Sequence, residues 1–246
     1  LSDNYAYLAH DPETGATAVV DTPEAAPIIE ALETKGWSLG HILLTHHHHD
    51  HVDGLSAVLD HAPLAKVAGA SADAHRLPPL DLALAEGDSI AIGSETGQVI
   101  DVSGHTVGHI AFYFPASRVV FSADSLMALG CGRVFEGTAS QMWKSLSKLA
   151  ALPPETAVCS GHEYTAANAR FALTIDPSNP DLISRAQAVE AARADGQPTV
   201  PSSLSEELAT NPFLRANDPA IRARLGLENA AAVDVFAEIR KRKDNF

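Results

Sequence analysis

Five histidines and one aspartate are packed into the segment Thr45-His46-His47-His48-His49-Asp50-His51, which continues as Val52-Asp53-Gly54. Neutral imidazole ligates zinc and other first-row metals, and carboxylate completes such ligand sets. A purification tag would stand at a terminus, whereas this run is internal. So many imidazoles beside a carboxylate are costly to leave uncommitted, and the chemistry they suit is metal coordination.

Three further candidate ligands stand at the ends of apolar runs. His105 follows Ile100-Asp101-Val102, Asp124 ends Val119-Val120-Phe121-Ser122-Ala123, and His162 ends Val158-Cys159-Ser160-Gly161. A lone strand-end aspartate usually caps a turn, and a lone histidine is usually a satisfied polar group. Their joint placement changes the reading, because loops leaving one edge of a sheet can bring such groups together on a rigid scaffold. His109 begins the next apolar run and is read as a supporting or structural group.

The elements that must position these residues follow from periodicity and turn chemistry. Strands are expected at Tyr5 to Leu8, Ala16 to Asp21 and 41–45, the last running through Ile42-Leu43-Leu44 into the histidines. Thr22 as N-cap and Pro23 in the first turn open a helix to about Lys35, stopped by Gly36. A short helix fits 54–61. Strands fit 65–69, 88–92, 97–102, 109–114, 118–123 and Ala157 to Ser160, and a helix with Met142, Leu146 and Leu149 on one face fits 139–151. From 163 onward no strand is expected. Helices fit 164–175, 181–195, 203–209, 218–225 and 230–243. Interleaved strands and helices indicate an α/β layered domain, and the shift near 162–165 marks a boundary before a helical domain.

Composition narrows the function classes. The chain has 246 residues, 46% apolar and 20% charged, as in a globular protein. A net charge of −14 argues against nucleic acid as the main partner, which needs a cationic surface. No apolar run approaches the roughly 18 residues of a membrane span. The chain starts at Leu1 with no basic leader or signal-like stretch, so the expectation is a cytoplasmic protein whose start was processed or lacks a few residues. Two cysteines, Cys131 and Cys159, are too few for a disulfide framework. Cys159 is expected in the core and Cys131 in a tight Gly-Cys-Gly turn with no assigned role.

Thr-His-x-His-x-Asp-His, here residues 45–51, is the signature of the metallo-β-lactamase superfamily. The chain resembles one branch, glyoxalase II (hydroxyacylglutathione hydrolase), over nearly its whole length. Leu1-Ser2-Asp3-Asn4-Tyr5, Gly104-His105-Thr106-Val107-Gly108-His109, Phe121-Ser122-Ala123-Asp124, and Gly130-Cys131-Gly132-Arg133-Val134-Phe135-Glu136-Gly137 carry the likeness. So do Gly161-His162-Glu163-Tyr164-Thr165, Pro198-Thr199-Val200-Pro201-Ser202 and Arg240-Lys241-Arg242-Lys243-Asp244-Asn245-Phe246.

The resemblance implies an αββα four-layer sandwich over 1–163 and a small all-α glutathione-binding domain over 164–246. It implies two divalent metal ions, zinc first and iron or manganese next. His46, His48 and His105 would hold one, Asp50, His51 and His162 the other, and Asp124 would bridge them. Side chains two apart in an extended segment point the same way, which lets His46 and His48 share an ion while His47 and His49 face elsewhere. The implied reaction, in methylglyoxal detoxification, is hydrolysis of S-(2-hydroxyacyl)glutathione, typically S-D-lactoylglutathione, to D-lactate and glutathione. A hydroxide between the metals would be the nucleophile, with Asp50 and Asp124 beside it.

The implied substrate contacts are Arg133, Phe135, Tyr164, Arg240 and Lys243. At 100° per residue Arg240 and Lys243 fall within about 40° of Phe236 on a helix, while Arg242 turns away. Phe135 stands where relatives often have tyrosine, and a missing hydroxyl bond costs about 1 kcal/mol. The partner expected is the small-molecule thioester alone, with no membrane and no nucleic acid, and a monomer. The alternatives left open are a glutathione persulfide dioxygenase with a single iron, another metallo-β-lactamase-fold hydrolase, and a non-catalytic metal centre.

Overall fold

The computed structural model describes residues 1–246. Two compact units make up the chain: residues 1–101 with 107–122, and residues 102–106 with 123–246.

The first unit begins with β1 (Tyr7–His10), β2 (Thr17–Val20), α1 (Ala25–Lys35) and β3 (Leu39–Leu43). The short α2 (His49–Val52) and α3 (Leu55–His61) follow, then β4 (Lys66–Ala70) and β5 (Leu82–Leu84). These strands form one sheet in the order β1-β2-β3-β4-β5, antiparallel at β1–β2 and parallel from β2 to β5. A parallel strand covered on both faces needs a continuous apolar run rather than an alternating one. Ile42, Leu43 and Leu44 meet that need and have no exposed surface. Each such side chain contributes about 1.5–3 kcal/mol of burial. β3 ends at Leu43, and buried Leu44 leads into Thr45, so the histidine run is anchored on the fully buried end of a central strand.

β6 (Ser89–Ile92), β7 (Glu95–Asp101), β8 (Ile110–Phe114) and β9 (Val119–Ala123) form an antiparallel meander. β8 is buried along its whole length, and Phe112 has no exposed surface. Its first residue is tied to the histidine run, since Ile110 N donates to Thr45 O at 3.0 Å.

The second unit continues with β10 (Leu126–Met127), β11 (Gly130–Cys131), α4 (Ala139–Ala150), β12 (Ala157–Ser160), α5 (Thr165–Ile175) and α6 (Pro180–Ala194). It ends with β13 (Ser202–Ser203), α7 (Leu204–Thr210), α8 (Pro219–Leu225) and α9 (Ala232–Asp244). α4 starts at a capping box, in which the Thr138 hydroxyl accepts from Gln141 N while the Gln141 side chain receives Thr138 N. Met142, Leu146 and Leu149, at helical spacing, are fully buried, and α4 packs on α9. No helix is long and apolar enough to cross a membrane.

Three local expectations change. The helix after Thr22 starts only at Ala25, with no side-chain cap. Thr22 instead uses its backbone to hold the histidine segment, accepting from Gly54 N at 2.8 Å and donating to His51 O at 2.8 Å. Cys131 lies not in a free turn but in β11, paired with Leu126 of β10. The region after 163 does contain one strand: β13 pairs antiparallel with β12, Ala157 opposite Ser203 and Val158 opposite Ser202. Two serines carry no apolar periodicity, so nothing in the local sequence announces that pairing.

Candidate metal centre and binding residues

In the first unit, Asp21 organises the histidine run. Its backbone is left-handed (φ 57°) and its carboxylate is buried. Thr45 N donates to Asp21 Oδ1 at 2.8 Å, and Oδ2 takes the Thr45 hydroxyl at 2.8 Å and His51 Nδ1 at 2.7 Å. With its proton committed to Asp21, the Thr45 oxygen accepts from His46 Nδ1 at 3.0 Å. Both rings are therefore fixed with a proton on Nδ1, and both present the Nε2 lone pair outward. A second-layer partner on the far ring nitrogen is how metal-ligating histidines are normally oriented.

His46 Nε2 lies 3.1 Å from His48 Nδ1. Asp50 sits in the first turn of α2, its carboxylate steadied by Asn4 Nδ2 at 3.1 Å. Ligand atoms of Asp21, His46 and His51 lie within 4.8 Å of one another. The Asp21 oxygens are engaged with Thr45 and His51, which makes Asp21 a positioning group rather than a ligand.

His47 is committed elsewhere and His49 faces solvent. His47 Nδ1 donates to Asp73 at 2.9 Å, and Arg76 Nε holds the other oxygen of Asp73 at 3.1 Å. His49 opens α2 with its side chain exposed. His109 is buried, donates from Nδ1 to Ile110 O at 3.2 Å, and stacks on His46 with centroids 4.6 Å apart. Close packing extends to Gly108, where a Cβ would stand 2.1 Å from the Asp73 carboxyl carbon.

The second unit brings His105, Asp124 and His162 together. Asp124 Oδ2 is 3.5 Å from His105 Nε2 and 3.3 Å from His162 Nε2, and all three side chains are buried. A carbonyl oxygen can only accept, so His105 Nδ1 donates to Arg133 O at 2.8 Å. His105 thus turns Nε2 toward a carboxylate oxygen, an arrangement that a cation shared between imidazole and carboxylate would satisfy. The donor set, imidazole nitrogens with second-layer partners and carboxylate oxygens, fits divalent metal ions.

Of the residues expected to meet substrate, Tyr164 and Phe135 lie against His162 and His105. Tyr164 stacks on His162 with centroids 4.7 Å apart and an interplanar angle of 4°. Phe135 faces His105 at 5.3 Å and is exposed. On α9, Arg240 is buried against Phe213, and Arg242 turns outward to Glu238. Lys243 Nζ donates to Ala167 O at 3.2 Å and packs over the Phe171 ring. Burial first, then the positive charges of Arg240, Arg170 and Arg133, push the Lys243 ammonium down to about 8. Lys243, Arg240, Arg170 and Arg133 thus form a local group of positive charge in a chain of net charge −14. Burial pushes the Cys131 thiol up to about 11 and the Cys159 thiol to about 12, so neither is a nucleophile at neutral pH.

Comparisons with known proteins agree with this picture. Residues 3–162 match the family described as the metallo-beta-lactamase superfamily, and residues 163–246 match hydroxyacylglutathione hydrolase C-terminus. The chain is 68% identical, over its full length and 96% of the relative, to hydroxyacylglutathione hydrolase of Jannaschia sp. (strain CCS1). It is 64% identical over the same shares to the enzyme of that name from Ruegeria pomeroyi. Among solved structures, ETHE1 from Myxococcus xanthus aligns with a TM-score of 0.68 and 25% identity, covering 98% of this chain and 86% of that one. The BLEG-1 B3 metallo-beta-lactamase aligns with a TM-score of 0.66 and 23% identity, covering 86% and 94%.

Proposed function

Because the chain belongs to the metallo-β-lactamase superfamily and, within it, to the hydroxyacylglutathione hydrolases, we propose that it cleaves S-(2-hydroxyacyl)glutathione, typically S-D-lactoylglutathione, to a 2-hydroxy acid and glutathione. The observation that carries the substrate class is the cationic group around Lys243, which suits the carboxylate end of a glutathione thioester. The proposed division of labour is a catalytic region over 1–163 and a glutathione-binding region over 164–246.

The proposed ligands are His46, His48 and His105 for one ion, and Asp50, His51 and His162 for the other, with Asp124 shared. Zinc is proposed first, with iron or manganese as alternatives for the same ligand chemistry. When bound, such ions supply an acidified water at neutral pH and a Lewis acid for the thioester oxygen.

The chain's own residues bind and orient. Lys243 and Arg240 take the glycyl carboxylate, and Arg133 adds positive charge. The Tyr164 and Phe135 rings wall the acyl end beside His162 and His105. Asp21, Thr45 and Arg133 O hold the imidazoles by Nδ1, so that Nε2 is directed away from those partners before substrate arrives. Such pre-organisation avoids reorganisation cost at the moment of reaction. The departing thiolate comes from a thiol of pKa near 8.5 and needs little help from an acid, which agrees with the lack of a separate general acid among these residues. The reading places the enzyme in the cytoplasm, where thiols are kept reduced, as a monomer.

Hydrolysis of S-D-lactoylglutathione, followed by loss of thioester absorbance on a preparation of known metal content, tests this. Protein that holds metal and leaves the thioester intact sinks it. One iron per chain with oxygen uptake would favour the dioxygenase alternative.

A further inference from the structure

The end of α9 reaches a metal-ligand candidate through an unbroken set of contacts in the second unit. Asp244 pairs with Arg240 on both edges of one oxygen, at 3.0 Å from Nε and 2.7 Å from Nη2. Arg240 Nη1 then donates to the Cys131 carbonyl at 3.0 Å. Two residues further on, the Arg133 carbonyl accepts from His105 Nδ1 at 2.8 Å. Gly132 between them has no slack: a Cβ there would sit 2.0 Å from Asp124 O and 3.0 Å from His105 Nδ1.

We propose that Arg240 and Asp244 are positioning residues for His105: they clamp the 131–133 backbone whose carbonyl sets that ring's orientation. Arg240 has five N–H donors; three are used in this clamp and Nη1 also lies 3.9 Å from Cys131 Sγ, which leaves an Nη2 hydrogen for the substrate carboxylate assigned to it above. The guanidinium that meets one end of the substrate thus also braces the chain beside the ligand that acts at the other end. Burial of Arg240 to 6% exposure and its seat on the Phe213 ring at 5.1 Å keep the fork in one orientation. A lysine keeps the charge but has no fork, so the two roles of Arg240 separate in one substitution.

This inference rests on the proposed hydrolase reading, and its test has a part that does not depend on substrate. Zinc affinity is measured by competition with a chelator, and kcat and KM for S-D-lactoylglutathione are measured separately, on wild type, Arg240→Lys, Asp244→Asn and Lys243→Ala. Arg240→Lys is expected to weaken zinc binding by up to roughly tenfold, the lower end of the scale for losing a ligand's direct partner, and to lower kcat. Asp244→Asn is expected to move both in the same direction, less strongly. Lys243→Ala is expected to raise KM with zinc affinity at the wild-type value. If Arg240→Lys and Asp244→Asn change KM alone, Arg240 is a carboxylate contact only and the positioning role is overturned. Should Arg240→Lys fail to fold, Asp244→Asn decides on the same readouts. A wild-type protein inert toward the thioester refutes the substrate reading, and the zinc measurement still decides the clamp.

Discussion

Replacing Asp21 with asparagine is the substitution whose effect follows most directly from the geometry. The carboxylate accepts from Thr45 N, the Thr45 hydroxyl and His51 Nδ1, at 2.8, 2.8 and 2.7 Å, and is buried with its partners. Asparagine keeps the volume and tolerates the left-handed backbone at this position, so the change isolates hydrogen bonding from strain. If the amide oxygen stays on Thr45 N, the NH2 group faces two donors, the Thr45 hydroxyl and His51 Nδ1–H. A buried donor left unsatisfied costs about 1–3 kcal/mol. The bonds share one carboxylate and do not add independently, so the total is set at about 3 kcal/mol. For a chain of this size that is a fall in Tm of roughly 6–12 °C. His51 also loses the partner that fixes its tautomer, and metal affinity should fall roughly 10–100-fold. Calorimetry of the metal-free protein and chelator competition measure the two effects. An Asp21→Asn protein that binds zinc as tightly as wild type would show that His51 is oriented by something other than Asp21.

Alkaline pH should reveal Lys243. Its ammonium ionises at about 8, so the charged form that holds a carboxylate dominates below that pH and is lost above it. kcat/KM should therefore fall as pH rises through about 8, and Lys243→Arg, which stays charged, should move that fall upward. A profile unchanged by the arginine would assign the fall to another group. Gly132→Ala should lower zinc affinity and activity at least tenfold, because the new methyl meets a backbone oxygen at 2.0 Å and cannot be relieved by a side-chain swing; a fully active variant would contradict the packing around Asp124. Asp124→Asn should abolish most thioester hydrolysis while leaving a cooperative thermal transition, as seen by circular dichroism. Loss of folding and activity together would make Asp124 structural.

The parts of the fold that could be read from sequence were those with strong local causes. Ile42-Leu43-Leu44 had to be a buried strand, Gly36 had to stop α1, and the apolar face Met142, Leu146, Leu149 had to be a helix. The histidine run announced metal chemistry because imidazoles at that density have no cheaper use. Asp21 gave no such signal: it is one acid at the end of a strand, and its role depends on Thr45 and His51, which are distant in sequence and meet it only after folding. The clamp from Asp244 to His105 was hidden for the same reason, since Arg240 and Cys131 are far apart in the chain and the acceptor is a backbone carbonyl. Thr22 misled because its residue type suits an N-cap, whereas its backbone is engaged by His51 and Gly54. Side-chain type suggests candidate ligands, whereas the groups that orient them carry no such mark.

One preparation suffices to test whether the protein is a metal-dependent glutathione thioesterase. Metal content per chain and the rate of S-D-lactoylglutathione hydrolysis should be measured on the same sample, before and after chelation and after zinc is restored. Two divalent ions per chain are expected, with hydrolysis lost on chelation and recovered with zinc, and free glutathione released in step with D-lactate. A sample carrying two ions that leaves the thioester intact would contradict that reading.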